Sequence, residues 1–182
     1  MIAGCIRRGA GWAHSILNSN QNNVIYCGES GATFSTGDVI RTDYVAYVDG
    51  YPRHQNRNAV IGKPRADEES TYAKYRDVYL GTIEKQRPGL VVKDLFQDTV
   101  ESFRRSGWEY QAGLIGHSVG PWWHQQAPML TRTCETVLEE GMVLAIEPFV
   151  NYWHPQELML LNGDGPEILS THFDTSKLLV VG

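Results

Sequence analysis

Five side chains in this sequence carry chemistry that strands rarely hold without a purpose: Asp43, His54, His117, His124 and Glu147. His117 and His124 stand seven residues apart in the stretch from Gly116 to Pro128, with small residues beside the first and the pair Trp122 and Trp123 before the second. In extended or looping backbone this spacing can bring two imidazoles into one cleft from different sides. Two half-buried histidines in a turn-rich core are the plainer alternative. Asp43 falls in the middle of an apolar strand candidate. A carboxylate there is costly unless it is paired, hydrogen-bonded, holding a cation, or facing outward on an edge. Glu147 lies inside the apolar run from Met142 to Val150, directly before Pro148, which removes a ladder donor at a strand end. Carboxylates and imidazoles at long spacings on strands are what a divalent cation site for hydrolysis needs: oxygen ligands, nitrogen ligands and an open position for water. Trp123 either lines a substrate pocket beside His124 or packs against the turn.

The elements that must position these residues can be read from composition. The polar segment Asn18 to Asn23 leads into Val24, Ile25 and Tyr26, a short strand candidate, and Gly28 to Gly31 turns the chain. Val39 to Val48 is rich in β-branched and aromatic residues. Asp49 and Gly50 then mark a hairpin turn into a second strand from about Tyr51 to Ile61. From Asp67 to about Gln86, Tyr72, Tyr75, Tyr79 and Ile83 recur at helical spacing, with acidic residues at the start. A second helix is expected over Val92 to Arg105, with Leu95, Phe96, Thr99, Val100 and Phe103 on one face and Ser106 and Gly107 as its stop. Both helices should cover one side of a sheet. Strand character returns through the histidine stretch, the apolar run around Glu147, Glu157 to Leu161, the turn Asn162 to Gly165, and Glu167 to Leu169.

At 182 residues, with 42% hydrophobic and 20% charged side chains, the chain suits one globular domain, residues 1–182. A net charge of −5 with no basic patch argues against nucleic acid or an anionic membrane as partner. No apolar run approaches the roughly 20 residues needed to span a bilayer. Cys5, Cys27 and Cys134 form no C-x-x-C pair, which points away from disulfides or a thiolate zinc site and toward the cytoplasm. The opening from Met1 to Cys5 shows no helix cap or strand boundary, so an N-terminal truncation of the domain is expected.

Several separate motifs, in order from about residue 24 to 170, share one pattern: Gly37 to Asp43, Gly50 through Arg57, Gly116 to Gly120 with His124 and Pro128 behind it, Glu140 to Val143, Ile146 to Pro148, and Gly165 to Leu169. In this the chain resembles the pita-bread hydrolases, the family of aminopeptidase P, prolidase, methionine aminopeptidase and creatinase. The resemblance implies an α+β fold in which an antiparallel sheet curves around a central site and helices pack on its outer face. It also implies a C-terminal catalytic domain whose relatives carry an N-terminal domain, and a homodimer for the intact protein.

The family's metal positions fall here on Asp43, His54, His117, Glu147 and, nine positions before Gly165, Gln156. His54 and Gln156 stand where the family has carboxylates that bridge two cations. An imidazole does not bridge and a neutral amide is a poor ligand, so a single ion on Asp43, His54, His117 and Glu147 is expected rather than a pair. The resemblance gives His124 the role of a histidine that hydrogen-bonds the substrate or the tetrahedral intermediate; His117, His124 and Glu147 are expected in catalysis, and His124, Trp123 and Gln156 at the substrate. Gln125 replaces the acidic residue usual beside His124, and Gly31 to Thr36 holds no histidine. Three functions stay open: a peptidase using one manganese, zinc or cobalt ion on a peptide substrate, a metal-free creatinase-like hydrolase of a small amidino or amide compound, and a pseudo-peptidase that binds without turnover.

Overall fold

Two left-handed residues in succession, Asp49 at φ 51° and Gly50 at φ 81°, close the hairpin between β2 (Val39–Val48) and β3 (Tyr51–Ile61). This is the geometry that two-residue hairpin loops require. The computed structural model describes residues 1–19 and 33–182, so the strand candidate at Val24 to Tyr26 and the turn at Gly28 to Gly31 lie outside the described residues. A short helix, α1 (Ile2–Ile6), opens the chain, and β1 (Trp12–Ser19) pairs antiparallel with β2, Trp12 opposite Tyr47. Neither had been expected.

The helices fall where the apolar spacing places them, α2 at Ala66–Glu84 and α3 at Val92–Arg105. Tyr72, Tyr75, Tyr79 and Ile83 of α2 are buried, as are Leu95, Phe96, Thr99 and Phe103 of α3. At the start of α2 the Glu68 carboxylate accepts the Arg65 backbone N–H at 2.8 Å, satisfying a donor that the first turn leaves free. These faces share one core with Ile115, Leu130, Leu144, Ile146, Met159, Leu161 and the fully buried Trp153.

Among the described residues five strands form the second sheet, β4 (Leu114–Ser118), β5 (Gln126–Thr131), β6 (Val143–Ile146), β7 (Glu157–Asn162) and β8 (Gly165–Ile168), in the antiparallel order β5-β4-β6-β7-β8. The first sheet runs β1-β2-β3-β9, where β9 (Leu179–Val181) pairs parallel with the end of β3. Among the described residues the antiparallel sheet expected from the sequence is laid out as two hydrogen-bonded ladders that meet where β3 passes β7. Their join uses side chains more than ladder bonds. Gln156 N–H donates to the Asn56 carbonyl at 3.0 Å, Arg57 Nη1 to the Gln156 carbonyl at 2.5 Å, and Asn58 Nδ2 to the Tyr152 carbonyl at 2.8 Å. Buried Arg57 also pairs with buried Glu157 at 3.1 Å. With Arg, Asn and Gln side chains occupying that edge, a continuous backbone ladder is interrupted while every strand stays anchored. Among the described residues no helix is long and apolar enough to cross a membrane.

Candidate active site

His117 reaches its place through an irregularity. The β4–β5 register shifts between Leu114 and His117 and again at Ser118. Residues two apart on an unbroken strand share a face, yet Ile115 sits in the core under the helices while His117 lines the cleft on the other side. The bulge changes the side. Glu147 follows the last residue of β6. Its N–H donates to the Ile115 carbonyl at 2.9 Å, and α2 holds the carbonyls on either side of it, Tyr79 donating to Ile146 at 3.3 Å and Tyr75 to Pro148. Asp43 and His54 come from facing strands of the first hairpin, where Asp43 lies opposite Asn56 and His54 opposite Val45.

These residues line a cleft of about 450 Å³, together with His124, Trp123, Trp12, Phe149 and His154. One donor atom each of His54, His117 and Glu147 lies within 4.8 Å of the others, and all three residues are buried. Asp43 stands behind this group, its Oδ1 accepting from His54 Nε2 at 3.1 Å. Burial pushes the Asp43 carboxyl up, but the hydrogen bond and charge of His54 outweigh it and leave it below its ordinary value. Asp43, expected as a ligand, contributes no atom to this three-residue group and hydrogen-bonds one of its members, His54. Gln156, expected at the substrate, is fully buried away from the cleft, its amide Nε2 3.4 Å from the His54 carbonyl.

Whether a cation fits can be judged from the imidazole nitrogens. His54 gives its Nε2 hydrogen to Asp43, so in neutral form it keeps a lone pair on Nδ1, which is buried with no hydrogen-bond partner among the described residues. His117 gives its Nδ1 hydrogen to the Ser118 carbonyl at 3.0 Å, which leaves Nε2, also buried and without a hydrogen-bond partner among the described residues, 3.3 Å from Glu147 Oε1. A lone pair facing a carboxylate oxygen at that distance needs a positive charge between them, either a proton or a metal. Donating the second ring N–H to a carboxylate or backbone carbonyl is how metal-bound histidines are usually held. Two imidazoles and one carboxylate fit a single borderline cation with an open position. The same set lacks the bridging oxygens that a pair of cations requires.

His124 stands at the mouth, its ring centroid 4.9 Å from that of His54 and 6.3 Å from that of His117. Burial, then the two neighbouring imidazoles, push it down to about 4, so it is neutral near pH 7. Trp123 packs on it at 4.8 Å and also on Trp12, at 6.2 Å, whereas Trp122 is 90% exposed and forms no part of the cleft wall. Sequence reasoning missed Trp12, Asn56 and His154. Asn56 Nδ2 donates to Glu147 Oε2 at 3.1 Å, and His154 Nε2 lies 3.5 Å from the same oxygen. A histidine and an asparagine near apolar strands were visible, but nothing in their spacing tied them to Glu147.

The sequence as a whole matches the model of metallopeptidase family M24 over residues 2–170. The chain belongs to metallopeptidase family M24. Among curated relatives it is 31% identical to the Xaa-Pro dipeptidase of Pyrococcus furiosus over 113 residues, covering 62% of this chain and 32% of that protein. To the methionine aminopeptidase of Aquifex aeolicus it is 27% identical over 150 residues, covering 76% of this chain and 57% of the relative. The fold of the X-Pro aminopeptidase of Thermotoga maritima superposes with a TM-score of 0.89 at 22% identity, over 97% of this chain and 52% of that one. The M24 chain described here thus spans roughly a third to just over half the length of these relatives, and its pita-bread architecture agrees with the sequence expectation.

Proposed function

We propose that this M24 chain is the catalytic domain of a hydrolase that cleaves a peptide C–N bond using one divalent cation, held by His54, His117 and Glu147. The observation that carries the reading is that His54 and His117 each offer a donor atom within 4.8 Å of Glu147, and that each has one ring nitrogen committed and the other buried without a hydrogen-bond partner among the described residues. Bound there, a divalent ion supplies an acidified water and polarises a carbonyl. Of the chain's own groups, Asp43 holds the His54 ring, and the Ser118 carbonyl holds that of His117. Neutral His124 is a hydrogen-bond donor at the cleft mouth, suited to the oxygen that gains charge as an amide is attacked. Trp123 and Trp12 give the mouth an apolar aromatic wall for the substrate. The relatives named for Xaa-Pro dipeptides make that substrate class the first to assay.

The test is metal content followed by activity. Protein dialysed against zinc, cobalt or manganese should hold about one equivalent per chain and hydrolyse members of an Xaa-Pro panel, with loss of both on His117→Ala. Uptake below roughly a tenth of an equivalent with all three ions would end the metal reading. Hydrolysis of creatine-like amidino compounds by such metal-free protein would favour the metal-free alternative.

A further inference from the structure

We propose that His154 is a positioning residue locked in one tautomer, with its hydrogen on Nε2, so that Glu147 is left with Oε1 as its only ligand oxygen. The inference rests on the metal reading above for its consequence, but its first half stands on geometry alone.

Arg41 is fully buried, and its Nη1 lies 3.0 Å from His154 Nδ1. A guanidinium has no acceptor, so the bond exists only if His154 Nδ1 carries a lone pair. The hydrogen of the neutral ring is then on Nε2, the nitrogen 3.5 Å from Glu147 Oε2. That distance is at the outer limit of a hydrogen bond, so the contact is a dipole aimed at the carboxylate rather than a strong bond. A closer donor reinforces it. Asn56 Nδ2 gives Oε2 a bond of 3.1 Å and lies 3.4 Å from both ring nitrogens of His154. The opposite amide orientation would put two oxygens at that short distance, so the network fixes Asn56 as well.

Two consequences follow for His154 itself. Nδ1 is occupied by Arg41 and Nε2 is protonated, so this imidazole is not a metal ligand although it lines the cleft. Glu147 Oε2 faces Asn56 and His154, both donors, while Oε1 faces the bare Nε2 of His117 at 3.3 Å. The carboxylate is therefore presented by one oxygen, aimed at the cation position. Such outer partners of metal ligands commonly change affinity by about 10- to 100-fold when removed.

The experiment has two arms. In 15N-labelled, chelator-treated wild-type protein near neutral pH, His154 should show a pyridine-type Nδ1 and a pyrrole-type Nε2. In the second arm, zinc affinity is measured by chelator competition for wild type, His154→Leu and His154→Gln. The leucine variant should weaken zinc by about 10- to 100-fold, and the glutamine variant, whose amide can both accept from Arg41 and donate to Glu147, should stay within about threefold of wild type. A role in folding alone would lower the melting temperature of the chelated variants and leave the zinc affinity of folded protein unchanged. A proton on Nδ1, or zinc binding as tight in His154→Leu as in wild type, overturns the proposal. If wild type takes up no zinc, the metal reading fails by itself, and the nitrogen shifts still decide the tautomer.

Discussion

His117 gives its Nδ1 hydrogen to a backbone carbonyl, and that one bond decides what its other nitrogen can do. Without a metal, the space between Nε2 and Glu147 is filled by a proton. Burial works against charge on His117, but Glu147 outweighs it and holds the imidazole above 6.5; burial likewise raises Glu147, but His117 and then His154 hold it well below 4.5. The sign of each contribution sets a window. The depressed carboxyl adds stability that is present above its unfolded value of 4.5 and lost as pH falls through its folded value. The raised imidazole adds stability that is complete below 6.5 and lost as pH rises through its folded value. Thermal melts in chelator should therefore be highest between pH 4.5 and 6.5 and decline on both sides, and zinc should abolish the decline on the alkaline side. A flat profile in chelator would contradict the pairing. His124 belongs to a different class of residue. His124→Ala should leave zinc content at the wild-type level while lowering kcat about 100-fold, and a loss of zinc in that variant would instead make it a ligand.

At the scale of elements, close backbone approach is what places His117 beside Glu147. A Cβ added at Gly116 would lie 2.2 Å from the Ala145 carbonyl oxygen and 3.2 Å from Ile146 Cα, both backbone atoms of the neighbouring strand. Nothing flexible can give way there. Gly116→Ala should push β4 off β6 and separate His117 from Glu147, costing about 2–3 kcal/mol in urea unfolding and most of the zinc affinity. A stable variant with normal zinc binding would show that β4 can shift without moving the site. The hairpin and both long helices were legible because local rules specify them: Asp49 and Gly50 for the turn, tyrosines three and four apart for α2. β1 and β9 were not, since Trp12 to Ser19 mixes polar and apolar types without clean alternation and Leu179 to Val181 is only three residues long. Each exists because a neighbouring strand offers it hydrogen bonds. The same limit applied to the site. His117 and Glu147 sit in motifs, whereas the move of Asp43 behind His54 and the arrival of His154 depend on where β3 meets β7.

At the scale of the molecule, the family and architecture are settled by agreement over nearly the full chain, and the donors straddle its two sheets. His54 comes from β3 of the first, His117 and Glu147 from β4 and the end of β6 in the second. Zinc at a hundred times its dissociation constant should stabilise the fold by about 2.7 kcal/mol, read as a rise in melting temperature that His117→Ala lacks. A wild-type melt unmoved by zinc would argue against a site that binds the native state. The join between the sheets, made largely of Arg57, Asn58 and Gln156 rather than a ladder, gives that stabilisation a direction. A cation held from both sides would act there as a removable cross-link. Hydrogen exchange at the Gln156 amide, which bonds across the join, should slow on zinc addition more than exchange within α3, so metal supply would tune how often the two halves part without altering either half.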